Sequence, residues 1–461
     1  MNLDFPLTVL LELCQKINKK STSVKKMSEY PKKLHKNVLI FPGGTEIGLE
    51  IARSLRYCKE VDIFSTSSGV KQHGPYFYKN HRNIPDIYNE GCLTELNNLI
   101  EEWNIDCILP SNPLVLDFLR NNRYTLGCSV VMPDDKILDI TRSKIKTYEY
   151  FNDLISVPLT YENYREIKIF PVFIKPDNMY GAQGTRLVKK PSEFLSFPPA
   201  QNDIICEYLP GPEYSIDCFS DRHGKLLFVG PRSRERVRMG TSMHCEIPCD
   251  EIKKELSNIA VKINNAILMR GAWFFQVKAD KTGKFKLLEI ETRIAGTMAL
   301  NRVLGVNFPL LSLYDHFEID VRVSFIDNPV VIDRSLANRY SHNINYDTVY
   351  IDLDDTIIIK NKINLQVIQF IFQCINNKKD IVLLTKSTTE NLHEFLNSWK
   401  IYKLFDEIIL LDENDLKSNY IKDKNSIFID DSYSQRMEVS RRHGILTFDP
   451  SMVEVLIDER C

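Results

Sequence analysis

Apolar and polar residues alternate along residues 37–133 in the pattern of strands connected by helices. The apolar run 37–41 ends in the glycine-containing turn 42–48, and the pattern predicts a helix over 49–55. Further strands are expected at 61–64, 106–110 and 128–132, with a helix at 93–103. This order is typical of a parallel α/β layer, so we predict a Rossmann-like N-terminal domain. The glycine turn fits a structural role and a substrate contact equally well, because its spacing differs from that of a dinucleotide-binding turn.

The pattern changes after residue 134 and changes back near residue 348. A predicted helix at 139–154 is followed by short strands that glycine and proline interrupt, which is typical of an α+β domain. Strands and helices alternate again toward the end, with strands expected at 349–353, 380–384, 407–411 and 426–429. We therefore predict a multidomain chain of α/β and α+β parts. Its predicted domains are a helix with a linker (1–36), an α/β domain (37–133), an α+β domain (134–340) and a C-terminal α/β domain (347–461).

Composition narrows the class of protein. The chain has 461 residues, of which 43% are hydrophobic and 26% are charged, and this is enough apolar material for packed cores. A net charge of −2 argues against a nucleic-acid partner, since such proteins favour a basic surplus. The 11 cysteines show no repeated pair spacing, which indicates reduced thiols and a cytoplasmic location. Residues 1–17 predict an amphipathic helix suited to a homodimer contact, and neither a signal peptide nor a membrane span.

Charged residues in the middle of the chain indicate a nucleotide site. Lys175 ends the predicted strand 173–176, and a glycine-rich loop follows at 177–185. An ammonium group beside glycines that admit backbone N–H groups suits a triphosphate, although an ordinary flexible hairpin has the same features. On a later strand, Glu289 and Glu291 share one face because strand side chains alternate. Carboxylates in a cleft are the ligands that Mg²⁺ requires when it bridges phosphates.

The order of these segments resembles the ATP-grasp superfamily over roughly residues 37–340, within its carbamoyl-phosphate-synthase-like branch of carboxylate–amine ligases. The resemblance implies an ATP-grasp fold behind a pre-ATP-grasp α/β domain, with ATP and Mg²⁺ as cofactors and Mn²⁺ as an alternative ion. It implies an ATP-binding set that holds the phosphates, closes over them and meets adenine and ribose: Lys144, Lys175, Gly181, Gly184, Glu207, Tyr208, Leu209 and Glu213. It also implies Gln276, Glu289 and Glu291 as metal ligands, with Arg293 steadying the transferring phosphate. Glu291 and Thr292 replace the Asn and Pro of the family pattern.

Arginines recur at every second position within residues 231–242. Guanidinium groups at such positions can bind a carboxylate or a phosphate through paired hydrogen bonds, and a solvated strand face would show the same pattern. We favour substrate contact and predict as substrate residues Arg232, Arg234, Arg236 and Gly240. The nearby segment 244–249 contains one histidine and two cysteines, and its spacing favours a half-buried strand over a metal site.

Acidic residues gather at the end of a predicted strand near residue 351. Asp352 and Asp354 point the same way at the carboxyl end of this strand, which is where parallel α/β sheets bind ligands. One carboxylate can attack phosphorus while the other transfers the leaving-group proton, and Mg²⁺ offsets their repulsion. Farther along, Thr385 ends a strand, Lys417 begins a helix, and the acidic pair 430–431 ends another strand.

Over residues 347–461 this series resembles the haloacid dehalogenase (HAD) superfamily of phosphatases. The resemblance implies a Rossmann-like HAD fold, and the short intervals 357–380 and 386–416 predict that it has no cap. It implies Asp352 as the nucleophile and Asp354 as the general acid and base, with Thr385 and Lys417 holding the phosphoryl group. The implied Mg²⁺ ligands are Asp352, Asp354, Asp430 and Asp431. Lys422 and Lys424 are alternatives to Lys417, and a degenerate scaffold domain is the alternative to a phosphatase.

Together the two resemblances imply a bifunctional enzyme. The ligase half would join a small-molecule carboxylate to an amine through an acyl phosphate. The phosphatase half would remove a phosphate from the amine or from the amide product. Two other functions agree with the same residues: a carboxylate kinase that releases its acyl phosphate, and a non-catalytic ATP-binding regulator or scaffold.

Overall fold

A computed structural model describes residues 35–68, 72–163, 165, 167–179, 181–238, 240–389 and 391–460. The helix that we predict over residues 1–17 lies outside the described residues. The chain folds into two compact units, the first ending at Ser335 and the second spanning Leu336–Arg460. Among the described residues, no helix is both long enough and apolar enough to cross a bilayer.

The first unit begins with a parallel α/β layer. Its elements are β1 (Lys36–Phe41), α1 (Glu46–Leu55), β2 (Val61–Ser68), β3 (His81–Ile84), α2 (Gly91–Glu102), β4 (Cys107–Pro110), α3 (Pro113–Asn122) and β5 (Ser129–Val130). The strands pair in parallel in the order β3-β2-β1-β4-β5. Strand β1 is central, and Val38 and Leu39 pack into two different apolar clusters because both faces of the sheet are covered. The predicted layer is confirmed, except that the strand expected at 128–132 is only two partly exposed residues long.

The remainder of the first unit is α+β. Its elements are α4 (Asp135–Thr141), α5 (Lys144–Phe151), β6 (Thr160–Tyr161), β7 (Val172–Pro176), β8 (Arg186–Val188), α6 (Ser192–Ser196), β9 (Asp203–Glu207), β10 (Glu213–Ser220), β11 (Leu226–Ser233), β12 (Arg236–Arg238), β13 (Thr241–Glu246), α7 (Asp250–Ile267), β14 (Gly271–Ala279), β15 (Phe285–Glu291), α8 (Ala299–Val303), α9 (Phe308–His316) and β16 (Val331–Asp333). The strands form three antiparallel sheets, in the orders β6-β9-β7-β8, β11-β10-β14-β15 and β12-β13-β16. The apolar face of α7 packs on the second of these sheets around Trp273 and Phe275.

The helix predicted at 139–154 is wrong in one respect, because it is two helices. Ser143 adopts an extended conformation between α4 and α5, and its hydroxyl accepts a hydrogen bond from the Lys146 N–H. A serine in this position caps the N-terminus of a new helix. The break matters for the site, because it makes Lys144 the first residue of α5.

The second unit contains a parallel sheet and a small hairpin. Its elements are β17 (Thr348–Ile351), β18 (Ile358–Ile359), β19 (Lys362–Ile363), α10 (Leu365–Asn376), β20 (Asp380–Thr385), α11 (Leu392–Ser398), β21 (Glu407–Leu410), β22 (Ser426–Ile429), α12 (Tyr433–His443) and β23 (Leu446–Phe448). The sheet order is β21-β20-β17-β22-β23, and every neighbouring pair is parallel. The carboxyl ends of β17, β20 and β22 therefore meet at one edge, where the polar side chains of this unit gather.

Candidate active sites

The first unit contains a cavity of about 750 Å³, lined by strands of both four-stranded sheets and by the loops between them. This volume lies within the range of about 300–1,000 Å³ that small-molecule sites have. The cavity brings together predicted residues from distant segments: Lys144, Lys175, Gly181, Glu207, Tyr208, Leu209, Glu213, Arg234, Gly240, Gln276 and Glu289. The mixture of cationic, acidic and apolar lining suits a nucleotide, which has a charged end and an aromatic end.

Two lysines supply positive charge to this cavity. The Nζ atom of Lys144 donates hydrogen bonds to the carbonyl oxygens of Asp177 (2.9 Å) and Met179 (2.8 Å), and it lies 4.0 Å from a Glu289 oxygen. Lys175 is buried, and its Nζ donates to the Tyr148 hydroxyl and to the Leu288 carbonyl. Burial lowers the pKa of both lysines. Phosphate oxygens in the cavity would supply negative charge that neutralises these ammonium groups.

Of the three predicted metal ligands, two line the cavity and one does not. Gln276 on β14 lies directly opposite Glu289 on β15, and both line the cavity. Their oxygens fit a Mg²⁺ site, since Mg²⁺ takes one or two protein ligands beside phosphate oxygens. Glu291 lies deeper and is outside the cavity lining, 3.2 Å from the Arg293 Nε, and burial raises the pKa of Glu291. Arg293 is also outside this lining and lies over the Phe274 ring.

The prediction that Arg232 contacts substrate is wrong. Its side chain is 1% exposed, and its Nε and Nη2 atoms donate to the two carboxylate oxygens of Asp217 at 2.8 and 2.9 Å. This bidentate ion pair uses the face of the guanidinium that would bind a substrate carboxylate. Asn301 donates to the same aspartate, so the pair belongs to the core.

The other arginines of this segment do not share a face with Arg232. Strand β11 ends at Ser233, and the chain enters a different sheet at Arg236, so the alternation that the sequence suggests is interrupted. Arg234 lines the cavity and its Nε lies 2.6 Å from a Glu213 oxygen. Arg236 is outside the cavity lining and pairs with Asp333.

Two glycine loops contact each other at the edge of the cavity. Gly240 has φ +77°, and a Cβ atom there would lie 2.4–2.6 Å from backbone atoms of Gly181. The predicted phosphate loop and the predicted substrate loop therefore touch through their backbones, which only glycine at 240 permits. Gly184 does not line the cavity, and its own Cβ would approach Pro176.

Sequence reasoning missed two polar groups of this cavity region. Lys278 lines the cavity, and its Nζ lies 3.2 Å from a Glu213 oxygen. Its position two residues after Gln276 on one strand was the available signal, because alternate residues share a face. The Tyr148 hydroxyl, which bonds Lys175, could not be found from spacing because the two residues lie on different elements. At the other end, Glu207 accepts from the Leu159 N–H and pairs with Lys286.

In the second unit, a buried lysine lies between two aspartates. The Nζ atom of Lys417 is 2.6 Å from Asp352 Oδ1 and 2.6 Å from Asp430 Oδ2, and all three side chains are at least nine-tenths buried. Oxygens of Asp352, Asp430 and Asp431 lie within 4.8 Å of one another, a spacing that fits one Mg²⁺ ion with its water ligands. Burial raises the pKa of Asp352 to about 7, although Lys417 acts in the opposite direction. The structure favours Lys417 over the exposed Lys422 and Lys424.

The remaining predicted residues of this unit lie around that group. Thr385 is fully buried at the end of β20, and its hydroxyl accepts from the Ser387 N–H. Asp354 is exposed and does not join the aspartates that share ligand distance. Its role as a direct metal ligand and acid–base group stays a prediction.

Two positioning contacts were not predicted. Arg436 Nη1 on α12 donates to the carbonyl oxygens of Asp430 (2.6 Å) and Asp431 (2.7 Å), and the Asp431 N–H donates to the Thr356 hydroxyl at 3.0 Å. These bonds fix the backbone that carries two candidate metal ligands. Arg436 lies in the first turn of α12, shortly after the acidic pair 430–431, and this nearness is what the sequence offers to predict the contact.

Comparison with known proteins finds similarity for part of the first unit. Residues 200–327 match the family model described as ATP-grasp in the biosynthetic pathway with Ter operon. A biotin carboxylase of Nostoc sp. is 26% identical over 141 residues, which are 27% of this chain and 32% of that protein. The match thus spans about a third of the length of this curated relative.

Solved structures agree at the level of the fold. Biotin carboxylase of Campylobacter jejuni, crystallised as a βγ-ATP complex, has a TM-score of 0.54 and 16% identity, covering 64% of this chain and 74% of that one. The ADP complex of PurK, an N5-carboxyaminoimidazole ribonucleotide synthetase, has a TM-score of 0.51 and 13% identity, covering 64% and 80%. These similarities show a shared fold over about 64% of this chain. Residues 200–327, within the first unit, are thus similar to an ATP-grasp family model.

Proposed function

We propose that the first unit is an ATP-dependent ligase that joins a carboxylate to an amine. The observation that carries this proposal is one cavity in which Lys144 and Lys175 face the paired oxygen ligands Gln276 and Glu289. The cations would bind the triphosphate, and the paired oxygens would hold the Mg²⁺ that neutralises it. The ATP-grasp family match supports the same assignment.

The reaction follows from this arrangement. A carboxylate oxygen of the substrate attacks the γ-phosphorus of ATP, which releases ADP and leaves an acyl phosphate. The amine then attacks the acyl carbon, phosphate leaves, and the nitrogen loses a proton to give the amide. Catalysis rests on positioning and charge neutralisation, since no protein nucleophile is needed. Arg234 and Gly240 line the cavity and are our candidates for contact with the carboxylate.

A screen of ADP release tests this proposal. Carboxylates are crossed with amines and phosphorylated amines, and each pair is assayed with the wild-type chain and with Lys175→Met. We expect ADP to depend on both substrates and to disappear in the variant. ADP release without an amine would instead support a carboxylate kinase. If no pair of carboxylate and amine yields ADP although the protein binds ATP, the result would favour a non-catalytic regulator over a ligase.

We infer a second activity for the second unit, that of a Mg²⁺-dependent phosphatase of HAD type. The supporting observation is that Asp352 and Asp430 follow the carboxyl ends of the adjacent parallel strands β17 and β22, with Lys417 between them at 2.6 Å from each. A carboxylate oxygen of Asp352 would attack the phosphorus of a phosphomonoester, and Asp354 would donate the proton with which the alcohol leaves. Water would then hydrolyse the aspartyl phosphate. Lys417 would neutralise the phosphoryl oxygens in both steps.

Phosphate release from a panel of phosphomonoesters tests this activity. The assay compares the wild-type chain with Asp352→Asn and is repeated after removal of Mg²⁺. We expect hydrolysis to be lost in the variant and without Mg²⁺, while the variant keeps ADP release by the ligase half when Mg²⁺ is present. A phosphorylated amide that accumulates only with Asp352→Asn would place the two reactions in sequence. Hydrolysis that survives the substitution argues that the unit is not a phosphatase of this type.

A further inference from the structure

Three polar side chains, those of Glu235, His244 and Glu246, lie close together beside the nucleotide cavity. His244 and Glu246 are two positions apart on β13, so their side chains share a face. Glu235 lies in the turn between β11 and β12 and also lines the cavity. One ligand atom from each of the three lies within 4.8 Å of the others.

The distances approach those around a bound metal ion. His244 Nε2 lies 3.2 Å from Glu246 Oε1 and 3.8 Å from Glu235 Oε2. Two ligands of a tetrahedral zinc ion are about 3.4 Å apart, given metal–ligand bonds of about 2.0–2.2 Å.

The orientation of the imidazole is fixed from behind. Asp333 on β16 lies directly opposite His244 in the sheet, and its Oδ2 is 3.0 Å from Nδ1. A histidine that binds a metal usually donates its other ring N–H to a carboxylate in this way. With Nδ1 as the donor, the lone pair of Nε2 points toward two carboxylates that cannot donate to it. A cation between the three groups resolves this opposition.

The two glutamates are also held by a shared contact. The Ser233 hydroxyl donates to Glu235 Oε1 at 3.1 Å and accepts from the Glu246 N–H at 2.9 Å. Ser233 is buried, so it anchors the Glu235 carboxylate and the backbone of Glu246 from within the protein. Such outer contacts orient ligands in metal sites.

Charge favours a divalent ion over a proton. Glu235, Glu246 and Asp333 carry three negative charges, and Arg236 pairs with Asp333 and carries one positive charge, which leaves −2 around a neutral imidazole. Protonation of His244 removes half of this excess, whereas a divalent cation removes all of it.

We propose that Glu235, His244 and Glu246 bind one divalent transition-metal ion of the zinc type at the rim of the nucleotide cavity. Imidazole nitrogen selects Zn²⁺ or Co²⁺ over Mg²⁺, so this ion differs from the Mg²⁺ expected beside ATP. Three protein ligands leave a fourth position for water or for an oxygen of a molecule in the cavity. The cysteines of segment 244–249 take no part, because Cys245 is buried away from the group and Cys249 precedes α7.

The test measures Co²⁺ binding to the full chain, stripped of metal and kept in excess Mg²⁺ without nucleotide. Visible absorption of Co²⁺ and metal content after gel filtration give affinity and stoichiometry. We expect one Co²⁺ per chain that Zn²⁺ displaces and Mg²⁺ does not. His244→Ala and Glu246→Gln should each weaken binding more than about tenfold, and Asp333→Asn about tenfold, as outer-contact substitutions do.

His223→Ala is the matched control, because His223 is exposed and its imidazole forms no ion pair or hydrogen bond within the described part of the chain. This variant should bind Co²⁺ like the wild type, and circular dichroism confirms that every variant is folded. Failure of the wild type to bind Co²⁺ overturns the proposal, as does equal affinity in His244→Ala. The measurement needs no turnover, so its outcome is independent of whether the proposed ligase reaction is correct.

Discussion

Two buried lysines, one in each unit, are held by different kinds of partner. Lys175 is held by the Tyr148 hydroxyl and the Leu288 carbonyl, and no carboxylate of the described residues lies within ion-pair distance of its Nζ. Lys417 is held between Asp352 and Asp430 at 2.6 Å each. The positive charge of Lys175 is therefore not balanced by a carboxylate at ion-pair distance within the described residues. The charge of Lys417 is shared between two carboxylates.

This difference predicts which kind of ion each site binds first. An ammonium group among neutral oxygens attracts an anion directly, so the cavity of the first unit is prepared for the phosphates of ATP. The second site has three aspartates around one lysine and needs a cation before a phosphoryl group can approach. Its aspartates also depend on Lys417 for stability, because a buried carboxylate without a partner is costly. Substitutions that remove each lysine should separate these two situations.

Removal of Lys417 should have the largest effect. Lys417→Met leaves Asp352 and Asp430 facing each other in a buried position, and losing one partner of a buried pair costs about 3–5 kcal/mol of folding free energy. Phosphomonoester hydrolysis should fall by about a thousandfold, because the charge that stabilises the phosphoryl oxygens is gone. Mg²⁺ should restore part of the stability, since the ion replaces the missing positive charge. Urea unfolding with and without Mg²⁺ measures this recovery.

Lys422→Met is the control for this substitution. Its side chain is 67% exposed and forms a surface pair with Glu407, so the change should alter stability by less than about 0.5 kcal/mol. If Lys417→Met is as stable as this control in the absence of Mg²⁺, the ion pairs of Lys417 do not support the fold.

Removal of Lys175 should affect binding more than stability. Methionine has a similar volume and leaves no carboxylate unpaired, so Lys175→Met should cost less than about 1.5 kcal/mol of folding free energy. Nucleotide affinity should fall about 10- to 100-fold, because hydrogen bonds to charged groups contribute about 1.5–3 kcal/mol. Calorimetry with ADP and Mg²⁺ measures it, with the exposed Lys281→Met as control. Unchanged affinity together with a large loss of stability would make Lys175 a structural residue.

A smaller effect is expected from Arg436, which contacts only the backbone of the acidic site. Arg436→Met removes the bonds to the Asp430 and Asp431 carbonyls and should loosen the loop that carries both carboxylates. The Mg²⁺ concentration needed for half-maximal hydrolysis should rise about tenfold, as for other outer contacts of metal sites, and excess Mg²⁺ should restore the rate. Arg441→Met, at an exposed position of the same helix, should leave the Mg²⁺ dependence unchanged. A lost rate that Mg²⁺ cannot restore contradicts the positioning role.

The sequence predicts best where a residue acts through its own element. Glu289 could be foreseen because a strand places alternate residues on one face, and Lys175 because it ends a strand before a glycine-rich loop. Gln276 follows only from the family resemblance. Arg232 could not be foreseen, because its partner Asp217 lies on the neighbouring strand and the pairing depends on register. The contact of Lys417 with Asp352 joins residues 65 positions apart, so the sequence gives both residues but not the ion pair.

The smallest effect is expected at the contact between the loops of Gly181 and Gly240. A comparison of Gly240 with Gly283 separates the effect of this contact from that of backbone strain. Gly240 and Gly283 have φ values of +77° and +87°, so alanine should cost each about 1 kcal/mol of folding free energy through backbone strain. Only at Gly240 does the added methyl group meet a backbone, that of Gly181, whereas a Cβ at Gly283 has nothing within 4 Å. Gly240→Ala should therefore separate the loops and weaken ATP binding severalfold more than Gly283→Ala does, measured by calorimetry at equal stability. Equal affinities would mean that side-chain charge alone binds ATP in the first unit and that the contact between the loops adds nothing.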